Sequence, residues 1–398
     1  MRWKVALGAV ALIVAVGVVN YLRPIPAVAA TASLHPQETI QGTVPKIPWP
    51  SGGMAAVGAS RLGFIASSGN EAPASAASVT KVMTALVILT DKPLTKDEPG
   101  PSITITDADV QSYQTDLANK ESVVEVQAGE QLTELQLLEG LLIPSANNFA
   151  ETLARWDAGS IDAFVASMNK LAGELHLTHT TFADTSGASP KSVSTPTDLM
   201  TLGMAAMKLE VFAQLVGMAE VNLPVAGRVF NVDGVLWQTG IIGIKPGSGL
   251  AEGANFLFAA QASIDGKDVT LYGCVMGLPT LARAFAAAKS LIASMQANLH
   301  VRRVIAKNQA VAAFATPWGG QSDLISTADV DLIEWPGMVL RQRLDARAIV
   351  IDKPVAPGTR EGSEHLVLGD YKLDVDLVTG SPLYPPGRLW RITRINFL

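Results

Sequence analysis

The texture of polar and apolar positions changes several times along the chain. Arg2 and Lys4 precede an apolar run from Val5 to Val19, and Ala27-Val28-Ala29 follows it. A positive start, an apolar stretch and a small-x-small triplet form a secretory signal. Fifteen apolar residues fall short of the ~20 that span a bilayer, although Tyr21 and Leu22 can extend the run into an uncleaved anchor. Residues 1–30 are therefore a signal or an anchor, and the rest of the chain is expected outside the membrane, secreted or anchored to its outer face. Residues 31–48 show no period and hold Pro36, Pro45 and Pro48, which predicts an extended linker.

Val79 to Leu89 is apolar except for Thr80, Lys81 and Thr84, the pattern of a helix buried on most of its surface. Leu135, Leu138, Leu141 and Leu142 share a helix face from about Thr133, and that helix stops at Pro144-Ser145. Gly240 to Ile244, Asn255 to Ser263 and Asp268 to Leu278 read as a strand meander, the last two joined through Asp265-Gly266. Ala282 to Met295 is a closing helix. Together they delimit a mixed α/β (α+β) domain over 49–298. Beyond it, Met338 to Asp352 and Leu366 to Val378 alternate, so 299–398 is an all-β domain ending in a last strand at Arg388 to Leu398.

In Ala77-Ser78-Val79-Thr80-Lys81 the serine and lysine lie three apart, on one helix face. A serine hydroxyl needs a base, and a lysine serves only when burial disfavours its charged form. Ser78 also sits at a helix start, where free N–H groups stabilise developing negative charge. Ser145-Ala146-Asn147 falls on the turn after a helix, with a hydroxyl able to relay a proton and an amide able to orient a lysine or a carbonyl. Lys245-Pro246-Gly247-Ser248 follows an apolar strand, placing a cation beside a sheet edge where it attracts a carboxylate. Read singly, Ser78 is a helix-start residue, Lys81 a snorkelling lysine and Ser145-Ala-Asn147 an ordinary turn.

Composition narrows the chemistry. The formal charge of −6 comes without a basic run, which argues against nucleic acid. The single cysteine, Cys274, lies in an apolar stretch and allows no intrachain disulfide and no thiolate zinc site. His176 and His179 lack the HExxH arrangement, so no metal and no cofactor are expected.

Ser145 follows Ser78 by 67 residues and Lys245 follows Ser145 by 100. That order of SxxK, SxN and KxG resembles the penicillin-binding proteins and serine β-lactamases. Gly140-Leu-Leu-Ile-Pro-Ser-Ala-Asn147, Leu177 to Gly187, Val193 to Leu199 and Gly243-Ile-Lys-Pro-Gly-Ser248 bring the resemblance closest to the low-molecular-mass D-alanyl-D-alanine carboxypeptidases. The resemblance implies a helical region packed on a five-stranded antiparallel sheet, and a C-terminal β domain like that family's. It implies Ser78 as nucleophile, Lys81 as base, Ser145 as proton relay, Asn147 as orienting amide and Lys245 as electrostatic anchor. Gly247 and Ser248 complete the substrate site, with the N–H groups of Ser78 and Ser248 as oxyanion hole. Peptidoglycan pentapeptide and β-lactam antibiotics are the implied partners, with the membrane a further one if the N-terminal segment stays uncleaved.

Two departures stand out. Pro246 occupies the place where the family carries threonine or serine, and the chain lacks the C-terminal amphipathic helix that tethers several members. Two rival readings stay open at this point. A β-lactamase needs a glutamate for deacylation, and Glu174 fits superficially; a non-catalytic cell-wall binding or sensory protein would keep the scaffold without turnover.

Overall fold

The computed structural model describes residues 2–69, 71–96, 98–249 and 253–394. They fall into two compact units. One is Val44–His300; the other joins the two chain ends, Met1–Thr43 and Val301–Leu398.

The unit Val44–His300 is built on a five-stranded antiparallel sheet in the order Ile241–Gly249, Gly253–Ile264, Lys267–Leu278, Met54–Ala59 and Gly63–Ser67. Asp265 and Gly266 both take positive φ (49° and 80°), which matches the right-handed twist of the strands that they join. The helix Thr80–Asp91 is buried along nearly its whole length. It packs among the helices Glu134–Leu142, Asn147–Ala158, Ile161–Glu174 and Pro196–Ala206. Thr133 caps Glu134–Leu142 reciprocally with Gln136, at 2.9 and 3.2 Å, which explains why that helix begins where its periodicity does. The first strand of the meander is longer than its apolar run suggests. Ile241–Gly249 carries Lys245 to Ser248 within it, opposite Leu257, Phe256, Asn255 and Ala254, so that motif lies on the edge strand and not after it. A proline is tolerated there because an edge strand leaves one row of N–H groups unpaired.

The second unit holds a seven-stranded sheet in the order Ala30–Ala32, Ala310–Ala315, Gln321–Ser326, Tyr371–Thr379, Arg360–Leu368, Val339–Asp345 and Gln37–Thr39. The alternating stretch Leu366 to Val378 is a hairpin and not one strand. Two further expectations are corrected. The segment 31–48 is extended, yet two pieces of it are paired: Ala30–Ala32 runs beside Ala310–Ala315 and Gln37–Thr39 beside Val339–Asp345. Both cover edges that would otherwise present open N–H and C=O groups, and three-residue strands are too short to show a period. The tail expected as a last strand is a helix over Arg388–Thr393, its first turn preceded by Pro385, Pro386 and Gly387, while residues 395–398 lie outside the described residues.

Candidate active site

Ala77–Val79 forms a 3₁₀ turn that leads into Thr80–Asp91, so Ser78 stands at the entry of the buried helix and Lys81 lies in its first turn. Lys81 is wholly buried (0% exposed), and its Nζ is held from three directions: by Ser78 Oγ at 3.0 Å, Asn147 Oδ1 at 2.6 Å and the Ser186 carbonyl at 3.0 Å. Burial brings its pKa down from 10.5 to about 7, against the opposing pull of Asp184, Glu121 and Asp116. A lysine in that state can take the proton of Ser78 at neutral pH.

Asn147 opens its own helix, and its amide is fixed on both sides: the oxygen receives Lys81 and the nitrogen donates to Glu121. Ser145 sits on the turn between two helices with φ +69°. Its hydroxyl is buried and has no hydrogen-bond partner among the described residues. An orphaned buried hydroxyl is costly, and this one lies at the SxN turn whose Asn147 holds Lys81. Ser78, Asn147, Gly187 and Ser248 line a cleft of about 530 Å³, together with Glu121 and Lys120.

The KxG motif closes the site from the sheet edge. A Cβ on Gly247 would stand 2.9 Å from Ser78 N and 3.1 Å from Val79 N, so only glycine lets the strand reach the nucleophile's backbone. Ser248 faces outward into the cleft. Lys245 is wholly buried (0% exposed) and is not among the cleft-lining residues, unlike the carboxylate-facing cation expected from sequence. Its pKa is pushed well down by burial and by Lys81, with Asp233 opposing. Asp233 is itself buried, with its carboxyl raised to about 6 by desolvation.

Sequence reading missed four residues. Asp184 accepts from Gly187 N (2.7 Å), Ala188 N (2.9 Å) and Ser186 Oγ (3.0 Å), and so shapes the loop whose Ser186 carbonyl receives Lys81. Gly187 follows from the same loop: with φ +83°, a Cβ there would lie 1.8 Å from the Ala77 carbonyl. The Asp-x-Ser-Gly order was the available signal for such a turn. Glu121 and Asp233 carried none, because neither lies in a motif. Glu174 is exposed on Ile161–Glu174, 3.7 Å from Lys170, and does not line the cleft, which removes the residue on which the β-lactamase reading leaned.

A sequence profile described as D-alanyl-D-alanine carboxypeptidase matches residues 63–280. A D-alanyl-D-alanine carboxypeptidase of a Streptomyces strain is 32% identical over 203 residues, spanning 47% of this chain and 68% of that one. Another from Mycobacterium tuberculosis is 34% identical over 215 residues, spanning 51% and 69%. Among solved structures, the Streptomyces DD-transpeptidase superposes with a TM-score of 0.56 at 26% identity, covering 64% of this chain and all of the other. Penicillin-binding protein 5 from Haemophilus influenzae, at 19% identity, shares the fold with a TM-score of 0.63 over 86% of this chain and 100% of that one.

Proposed function

Since the chain belongs to the D-alanyl-D-alanine carboxypeptidase family, we propose that it removes the terminal D-alanine from peptidoglycan stem peptides through an acyl-enzyme on Ser78. The observation that carries the reading is the buried Lys81 amine 3.0 Å from Ser78 Oγ with its pKa near neutrality. Ser78 Oγ attacks the carbonyl between the two D-alanines while its proton passes to Lys81. The N–H groups of Ser78 and Ser248 receive the developing oxyanion. Ser145 hands a proton to the departing D-alanine amine, and water then releases the shortened peptide and restores Ser78. A β-lactam enters the same path and stops as the acyl-enzyme. The apolar N-terminal helix supports export, with the catalytic unit acting outside the membrane.

Incubation with benzylpenicillin is expected to give one adduct, on the peptide containing Ser78. Its rate should climb with a midpoint near pH 7, because the neutral fraction of Lys81 rises from about a tenth at pH 6 to about nine-tenths at pH 8. Peptide mass spectrometry and labelling rates across pH check both. An adduct elsewhere, or a flat profile, removes the assignment.

Pro246→Thr is expected to raise kcat/KM for D-Ala-D-Ala peptides about tenfold, the worth of one hydrogen bond to a charged group. The position is buried on the edge strand opposite Phe256, where β-branched threonine suits the extended backbone. Steady-state kinetics on a diacyl-Lys-D-Ala-D-Ala peptide decide it; an unchanged or lower value shows that another group, such as the Ser248 hydroxyl, already holds the carboxylate.

A further inference from the structure

The two chain ends meet at the foot of the N-terminal helix. Trp3–Leu22 has a mean hydropathy of 2.4 and none of it is buried, and at 1.5 Å per residue it is about 30 Å long, the thickness of a bilayer's hydrocarbon core. The last carbonyls of any helix lack intrahelical partners. Here guanidinium groups from the other end of the chain take them. Arg394 donates through Nε and Nη2 to the Asn20 carbonyl (3.1 and 2.7 Å), through Nη2 to that of Arg23 (2.6 Å) and through Nη1 to that of Pro24 (2.9 Å). Arg391 donates to the Tyr21 carbonyl (2.6 Å) and lies 4.3 Å from the centre of its ring. Asn20 Nδ2 answers with a bond to the Ile392 carbonyl (3.1 Å). The helices touch at Gly17, where a Cβ would come 3.1 Å from Ile392 Cγ2.

The segment after the helix is also occupied. Val28, at the centre of the small-x-small triplet, is buried (5% exposed) and exchanges backbone bonds with Ile349 at 2.8 and 3.0 Å. The next strand, Ala30–Ala32, is paired. In the complete chain the bond after Ala29 therefore lies between a two-way bridge and a strand, so any processing there must precede that pairing.

We propose that the N-terminal helix is retained as a permanent membrane anchor, capped by the Arg388–Thr393 helix, which rests on the outer surface of the bilayer. This rests on the exported reading above. The occupant of that surface is a bilayer with anionic headgroups. Leu389 is 75% exposed, Arg23 and Arg388 are exposed, and Trp390 and Trp318 stack edge to face at 5.2 Å, each donating its indole N–H to a carbonyl. Apolar tips, arginines and amphipathic indoles at the end of a spanning helix make up an interfacial belt, the arginines pairing with lipid phosphates. With Arg2 and Lys4 at the other end, the helix start stays on the cytoplasmic side.

The test uses the full chain expressed in a bacterium. Intact mass of the membrane fraction should show the sequence from residue 1 onward, unreleased by alkaline carbonate. Gly17→Leu leaves the helix apolar but drives a side chain into Ile392, and Arg391→Ala with Arg394→Ala removes the cap. Both variants should lose the full-length mass to a product beginning at Ala30. Native chain already beginning at Ala30, or variants as resistant to processing as the native chain, overturns the proposal. Protease added to spheroplasts reports export separately, and labelled penicillin on the same fractions reports Ser78. A failure of the functional reading is thus distinguishable from a failure of the anchor.

Discussion

Lys81→Met is expected to abolish penicillin labelling of Ser78 and, at the same time, to make the fold harder to unfold at pH 6. Without a base the serine keeps its proton, and loss of general-base assistance costs about a hundredfold to ten-thousandfold in acylation rate. The stability gain follows from linkage. A lysine whose pKa falls on folding binds its proton less tightly in the native state, so the native state is penalised throughout the range below about 7. The penalty fades as pH rises from about 7 to 10.5. A drop from 10.5 to about 7 is roughly 5 kcal/mol at ~1.4 kcal/mol per pH unit. Losing three hydrogen bonds, at about 1 kcal/mol each, offsets part of that, which leaves a net gain of about 2 kcal/mol at pH 6 and a net loss of about 1 kcal/mol at pH 9, where only about 2 kcal/mol of the penalty remains. Labelling with fluorescent penicillin and thermal unfolding at the two pH values check both halves. A variant that still acylates ends the role of Lys81 as base; one destabilised at pH 6 shows that its three bonds outweigh its burial.

Ser145→Ala should separate catalysis from folding even more cleanly. The hydroxyl has no partner to lose among the described residues, so its removal relieves an unsatisfied buried group, and stability should hold or rise by up to about 1 kcal/mol. Alanine accepts φ +69° no worse than serine, since both carry a Cβ. If the hydroxyl relays a proton to the leaving amine, kcat on a D-Ala-D-Ala peptide should fall about a hundredfold. Urea unfolding and steady-state kinetics on the same preparation decide the matter. Unchanged kcat removes the relay from the mechanism.

The site was legible where local pattern and chemistry coincide. A lysine within an apolar helix is conspicuous, and the helix stop after Ile143 locates Ser145 and Asn147. The hairpin at Asp265-Gly266 was readable from its turn alone. What stayed hidden depends on contacts between distant segments. Nothing near Glu121 announces that its carboxylate meets Asn147, and nothing near Lys245 foretells its burial with Asp233 as opposing charge. The edge strands Ala30–Ala32 and Gln37–Thr39 were invisible for a related reason: their pairing partners lie far along the chain. The tail at Arg388 misled because six residues show no decisive period, and its helix is fixed by the bonds to Asn20, Tyr21, Arg23 and Pro24.

The splitting of one sheet between both ends of the chain also sets an order of events during synthesis. Ala30 must wait for Phe314, roughly 280 residues later, before it has a neighbour, while Val44–His300 holds all five strands of its own sheet. The unit Val44–His300 can therefore complete its sheet before the C-terminal strands are made. The terminal half closes last, because its long-range pairings form only once the whole chain is out. A chain ended at residue 300 and released is expected to complete the five-stranded sheet of Val44–His300 without the seven-stranded one.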